Sequence, residues 1–266
     1  MRLKELSIIQ YQNVSRHSDL HRLWLPQGAL RAQLDHFAKN PFTLLSMDHT
    51  LDFMERKKKI KGTRPISLTF DNGFLDFYES VFPLLSDYGY PATVLISPLR
   101  VGTKMSIGSH GVHFLDWSHL KELINHNITV GAFEDDAWNI NQIPAEKVET
   151  HITQYKELME QKLGVEVGYF GVKEGVPDER LRDRLIAAGY RAFLTECPTN
   201  QKPDPYAIGR IQVDDEDFNI FLTKISKTYL LFKDRKSWKY IREYSLDKAA
   251  HRLSEAYDRF RGVRTH

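Results

Sequence analysis

Short apolar runs alternate along this chain with stretches in which apolar residues recur at helical spacing. Residues 6–11, 65–70, 92–97, 128–133, 167–172, 190–195 and 207–213 read as strands of mostly branched and aromatic residues. Residues 29–38, 51–55, 74–88, 119–125, 145–163 and 178–188 read as helices. In 74–88, for example, Phe77, Val81, Leu84, Leu85 and Tyr88 share one helical face. Glycines at 89, 164 and 189 stand where several of these helices should stop. Strands alternating with helices predict a parallel sheet in an α/β domain. The basic run 56–61 reads as a solvated linker. After Asp217 the pattern turns helical, with a last helix expected over 246–260. Two units follow: a barrel-forming domain over 1–217 and a helical extension over 218–266 packed on it. The extension carries more Lys and Arg than Asp and Glu, and it is the surface expected to meet any protein partner.

Composition narrows this picture. The chain has 266 residues, 41% hydrophobic and 27% charged, with a formal net charge of +2. That is ample apolar material for a core and too little positive charge, with no known motif, for a nucleic-acid binder. The single cysteine, Cys197, rules out a disulfide framework within the chain. No stretch approaches the roughly 20 apolar residues of a membrane span. The start of the chain lacks the apolar core of a signal peptide, so the expectation is a cytoplasmic protein.

In parallel α/β domains, functional groups gather at the C-terminal ends of the strands. Those ends place Gln12, Asp71-Asn72, Ser97, Glu134-Asp135-Asp136, Lys173-Glu174, Thr195-Glu196 and Arg210 around one mouth. Asp71 stands out, because it directly follows a strongly apolar strand and precedes Asn-Gly, a tight-turn pair. Two readings stay open for it: a residue facing the site, or the N-cap of the next helix. Glu134-Asp135-Asp136 likewise reads either as a carboxylate cluster or as a solvated acidic loop. His110 and His113, an i, i+3 pair, read either as a substitute metal site or as part of a glycine-rich surface loop.

The segment Pro65-Ile66-Ser67-Leu68-Thr69-Phe70-Asp71-Asn72-Gly73-Phe74, with Tyr88-Gly89 and Pro91-Ala92-Thr93, resembles the polysaccharide deacetylase (NodB-homology) family. Tyr11-Gln12-Asn13-Val14, Leu115-Asp116-Trp117, Leu163-Gly164-Val165, Ala188-Gly189-Tyr190 and Ile208-Gly209-Arg210-Ile211 fall in the family's order, so the resemblance covers about 6–213. It implies a distorted (β/α) barrel of about seven strands. It also implies metal-dependent hydrolysis of N-acetyl groups on aminosugars. In that scheme the first Asp of the Thr-Phe-Asp-Asp-Gly motif is a base. The second Asp and a His-x-x-x-His pair hold zinc, which polarises the amide and activates water.

The chain departs from that scheme at each ligand. Asn72 replaces the second Asp, and Phe133 and Ala137 occupy the two histidine positions. Gln12 stands where a related branch has His, and Lys173-Glu174-Gly175 stands where Tyr-Pro-x-Gly is expected. The expectation is therefore no bound cofactor, since the standard zinc site is absent. Asp71 and Glu134 are the candidate catalytic residues. Asn72, Asp135, Asp136, Trp138, Lys173 and Arg210 are the candidate saccharide-binding residues. Two functions follow: a carbohydrate hydrolase with unorthodox chemistry, or a non-catalytic protein that binds a saccharide or assembles with a partner.

Overall fold

Strands that are apolar on both faces need a parallel sheet covered or closed on both sides, and a closed barrel forms. The computed structural model describes residues 6–15, 24–57, 60, 63–107, 110–196 and 204–226. Eight barrel segments are numbered here: β1 (Ser7–Tyr11), β2 (Arg64–Phe70), β3 (Ala92–Ile96), β4 (Ile128–Asn139), β5 (Tyr169–Glu174), β6 (Ala192–Thr195), β7 (Ile208–Gly209) and β8 (Ile211–Val213). All pair in parallel, in the spatial order β7-β6-β5-β4-β3-β2-β1-β8. A single residue, Arg210, joins β7 to β8, so the two ends of this order meet and the barrel closes at that residue.

Side-chain alternation divides the core into two layers. Leu6, Ile8, Leu95, Phe133, Tyr169, Ala192, Leu194 and Ile208 fill the barrel interior. Ile9, Tyr11, Leu68, Phe70, Val94, Val130, Ala132, Phe170, Val172 and Phe193 face outward, under the helices. The helices are α1 (Gln27–Lys39), α2 (Met47–Met54), α3 (Phe82–Tyr88), α4 (Trp117–Ile124), α5 (Ala145–Leu163), α6 (Glu179–Ala187) and α7 (Phe218–Lys224). Met47, Leu51 and Met54 of α2 pack with the interior residues and stop the N-terminal end of the barrel. The polar interior residues are thereby left to the other end.

The structure corrects several expectations. The helix expected over 74–88 begins with a π-helical turn at Phe77–Val81 before α3. Gln27 Nε2 donates to the Ser80 carbonyl at 3.0 Å, giving a partner to a carbonyl in that wider turn. β4 runs to Asn139, so Glu134, Asp135 and Asp136 lie on a strand and not in a loop. Lys104–Ile107 and His110–His113 form an antiparallel hairpin where a loop is expected. Three short strands also appear that the pattern does not suggest: Asn13–Ser15, paired with Trp24–Pro26, and Phe42–Leu44, paired with the start of β2. Of the expected C-terminal extension, α7 is present; 227–266, and with them the helix expected over 246–260, lie outside the described residues, as does Cys197. None of the described helices is long and apolar enough to cross a membrane.

Candidate functional site at the barrel mouth

β2 ends in Thr69, Phe70 and the turn Asp71-Asn72-Gly73. Phe70 faces outward, stacked on Tyr11 with ring centroids 4.8 Å apart. Alternation then turns Asp71 inward. Asn72 and Gly73 both adopt left-handed backbone, with φ of 70° and 68°. Asn tolerates that conformation better than most residues, and Gly73 needs it for a second reason. A Cβ on Gly73 would stand 2.4 Å from Cδ1 of Ile96, so the turn passes directly over β3.

Asp71 is 3% exposed, and its carboxylate is held from three directions. Arg210 donates Nη1 to Oδ1 at 2.6 Å and Nη2 to Oδ2 at 3.0 Å. Gln10 donates Nε2 to Oδ2 at 2.6 Å. Three of the roughly four lone-pair positions of the carboxylate are thus taken. Nη2 of Arg210 also donates to the Val172 carbonyl at 2.9 Å. The guanidinium therefore reaches from the seam to β2 on one side and β5 on the other, and so lies across the barrel interior. Neither side chain of the pair exceeds 1% exposure. Around this centre, Oε1 of Gln10, Nε2 of Gln12, Oγ of Ser97 and Nε of Arg210 are buried without a hydrogen-bond partner. Such groups at a strand-end mouth are what a polar ligand or ordered water satisfies.

The other candidates divide by strand face. Asn72 stays at the mouth and donates Nδ2 to the Gln12 carbonyl at 3.3 Å. Asp135 pairs with Arg100 Nε at 2.6 Å, and Arg100 is 41% exposed, so this pair lies at the rim. Glu134 turns the other way. Phe133 is interior and Ala132 exterior, which places Glu134 in the outer layer, where its Oε2 lies 2.6 Å from His151 Nδ1 on α5. The structure thus brings Arg210 to Asp71 and takes Glu134 away to a different partner. Asp136 and Trp138 lie farther along β4. Lys173 and Glu174 are half-buried at the end of β5. They follow Val172 at a register shift in the β4–β5 ladder. His110 and His113 belong to the hairpin, and Trp117 opens α4 against the main core.

Gln10, Arg100 and His151 escape the sequence reading. Gln10 left a signal, as the one amide within Ser-Ile-Ile-Gln-Tyr. His151 left only its position on the buried stripe of α5, with Val148, Ile152 and Tyr155.

The positions that the resemblance assigns to metal ligands hold an amide committed to a backbone carbonyl, a phenyl ring packed in the barrel interior and an alanine. Among the described residues, no three His, Cys, Asp or Glu side chains come together as a metal site would need. This donor set does not fit zinc, which takes nitrogen, thiolate or carboxylate ligands.

Parallel strands closed into a barrel, with polar groups gathered at their C-terminal ends, define an α/β barrel protein of the kind that includes polysaccharide deacetylases. The polysaccharide deacetylase family profile matches residues 58–193, and the chain belongs to that family. It is 22% identical over 211 residues to the protein YxkH of Bacillus subtilis (strain 168), covering 79% of this chain and 71% of that one. Among solved structures, IcaB from Ammonifex degensii matches with a TM-score of 0.68 at 20% identity, over 79% of this chain and 91% of that one. The Streptococcus pyogenes deacetylase PplD, solved in complex with acetate, matches with a TM-score of 0.65 at 15% identity, over 86% of this chain and 98% of that one. These likenesses show the shared fold.

Proposed function

We propose that this protein binds an N-acetylated saccharide in the barrel mouth and does not carry out metal-dependent deacetylation. The observation that carries the reading is the chemistry at the ligand positions. Asn72, Phe133 and Ala137 offer no carboxylate or imidazole to a metal, while the polar mouth around Asp71 is retained. Family membership and the likeness to deacetylases support a saccharide as the ligand. Asp71 serves as a buried acceptor that fixes Arg210 and Gln10, and these in turn set the floor of the mouth. Gln12, Asn72 and Ser97 are uncharged side chains around that floor, suited to hydroxyl and amide groups.

A second reading rests on the same retained acid. With its three contacts Asp71 is held in one orientation, as a general base must be, and a hydrolase that works without the family's metal would use it so. Titration calorimetry with zinc and saturation-transfer NMR with acetylated glucosamine oligomers test the proposal, and turnover of those oligomers without added metal, lost in Asp71→Asn, would favour the second reading. The proposal expects no stoichiometric zinc binding and clear saturation transfer to the oligomer. Tight zinc binding at one equivalent, lost in Asp71→Asn, would overturn it.

A further inference from the structure

The floor of the mouth carries polar atoms that the Asp71 network leaves over, and they are not a random mix of donors and acceptors. Gln10, Gln12, Ser97 and Arg210 are 0, 7, 1 and 1% exposed. Oε1 of Gln10, Nε2 of Gln12, Oγ of Ser97 and Nε of Arg210 have no hydrogen-bond partner among the described residues. The Gln10 amide has one workable orientation. The Asp71 carboxylate, paired with Arg210, only accepts, so Nε2 of Gln10 must face it and Oε1 is the acceptor left over. The strand registers gather these residues around Asp71. Tyr11 lies beside Phe70, so Gln12 and Asp71, one residue on, stand level. Phe70 lies beside Val94, and Ser97 closes the same strand end on the other side. Arg210 reaches Asp71 from the seam.

Given the saccharide reading, on which this rests, we propose that the mouth reads the acetylation state of the sugar: it takes the acetamido group and refuses the free amine. The atoms left over are one acceptor, two donors and a hydroxyl that can act as either. An acetamido group is their complement. Its carbonyl oxygen has two lone pairs for Gln12 Nε2 and Ser97 Oγ, and its N–H has Gln10 Oε1. A protonated amine has donors only. It would meet the N–H groups of Gln12 and Arg210 donor to donor, and it would leave them unmet in a buried site. It would also bring a positive charge towards the Arg210 guanidinium. Asp71 gives it little in return, since three donors already occupy that carboxylate. Gln12 and Ser97 are thus specificity-determining residues, and Gln10 is held in its accepting orientation by Asp71.

Titration calorimetry on the full chain compares an acetylated glucosamine oligomer with its fully deacetylated counterpart of the same length, at about pH 6, where free amines are protonated. The acetylated oligomer is expected to bind on the order of a hundredfold more tightly. Equal or reversed affinity would overturn the selectivity and leave the saccharide reading standing, whereas binding of neither oligomer would overturn both. Gln12→Glu puts a pure acceptor where the donor stood. The deacetylated oligomer should then gain, and the ratio of affinities should fall on the order of tenfold. An unchanged ratio would contradict the role of Gln12. Should Gln12→Glu fail to fold, Ser97→Ala decides. It should weaken the acetylated oligomer about three- to tenfold and leave the deacetylated one unchanged. An equal loss for both oligomers, or none for either, would overturn the assignment.

Discussion

Arg210→Met removes the cation from a carboxylate that has no access to water. Both side chains of the pair are at most 1% exposed, and the two charge-assisted bonds are 2.6 and 3.0 Å long. After the substitution Asp71 keeps only Gln10, at 2.6 Å. Leaving one member of a buried ion pair without its partner costs about 3–5 kcal/mol. The loss of the Val172 carbonyl bond adds about 1 kcal/mol. Urea denaturation at pH 7 should therefore show a destabilisation of about 4–6 kcal/mol, read from the midpoint at unchanged slope. One further signature separates a stranded charge from simple loss of packing. The double variant Asp71→Asn/Arg210→Met is less destabilised than the sum of the two single variants, with a coupling of about 2 kcal/mol or more. A single-variant cost below about 1 kcal/mol, or strict additivity in the cycle, would refute the claim that this pair anchors the mouth.

Three other outcomes are expected. Gly73→Ala should lose about 2–4 kcal/mol by thermal denaturation, since its Cβ meets Ile96 at 2.4 Å and its φ is 68°, whereas Asn72→Gly, at φ 70°, should be nearly neutral. Asp116 caps α4 by accepting from the backbone of Ser118 and His119, and its hydrogen bond from the Ser118 side chain holds its carboxyl below the usual range. Asp116→Ala should cost about 1 kcal/mol at pH 7, with the difference from wild type shrinking as pH falls below the usual carboxylate range. His151→Leu leaves the buried Glu134 carboxylate without that ring nitrogen, so it should destabilise the fold while leaving saccharide binding at the mouth unchanged in calorimetry.

The barrel was legible because its strands are apolar on both faces and its helices keep a strict stripe. Residues 145–163 show this best: the expected helix and α5 share both boundaries. The acidic run 134–136 was misjudged, because carboxylates read as a loop unless a partner is known. Arg100 and His151 supply partners from segments 35 and 17 residues away, and β4 continues through the run. Asp71 was legible as the centre of the mouth from its place after an apolar strand. Its bond to Arg210 spans 139 residues, and no local pattern encodes such a contact. The face taken by Glu134 follows from counting alternation from Phe133, but only once Phe133 is known to lie inside the barrel. The hairpin at Lys104–His113 escaped notice because its strands are short and polar and pair only with each other.

The central claim is that the mouth binds a saccharide without the family's metal chemistry. Acetate release from acetylated glucosamine oligomers, measured in the presence of added zinc or cobalt, tests it most directly. The account predicts release no faster than in a protein-free control for both the wild type and Asp71→Asn. Metal-dependent release by the wild type, abolished in Asp71→Asn and in the presence of a chelator, would contradict it.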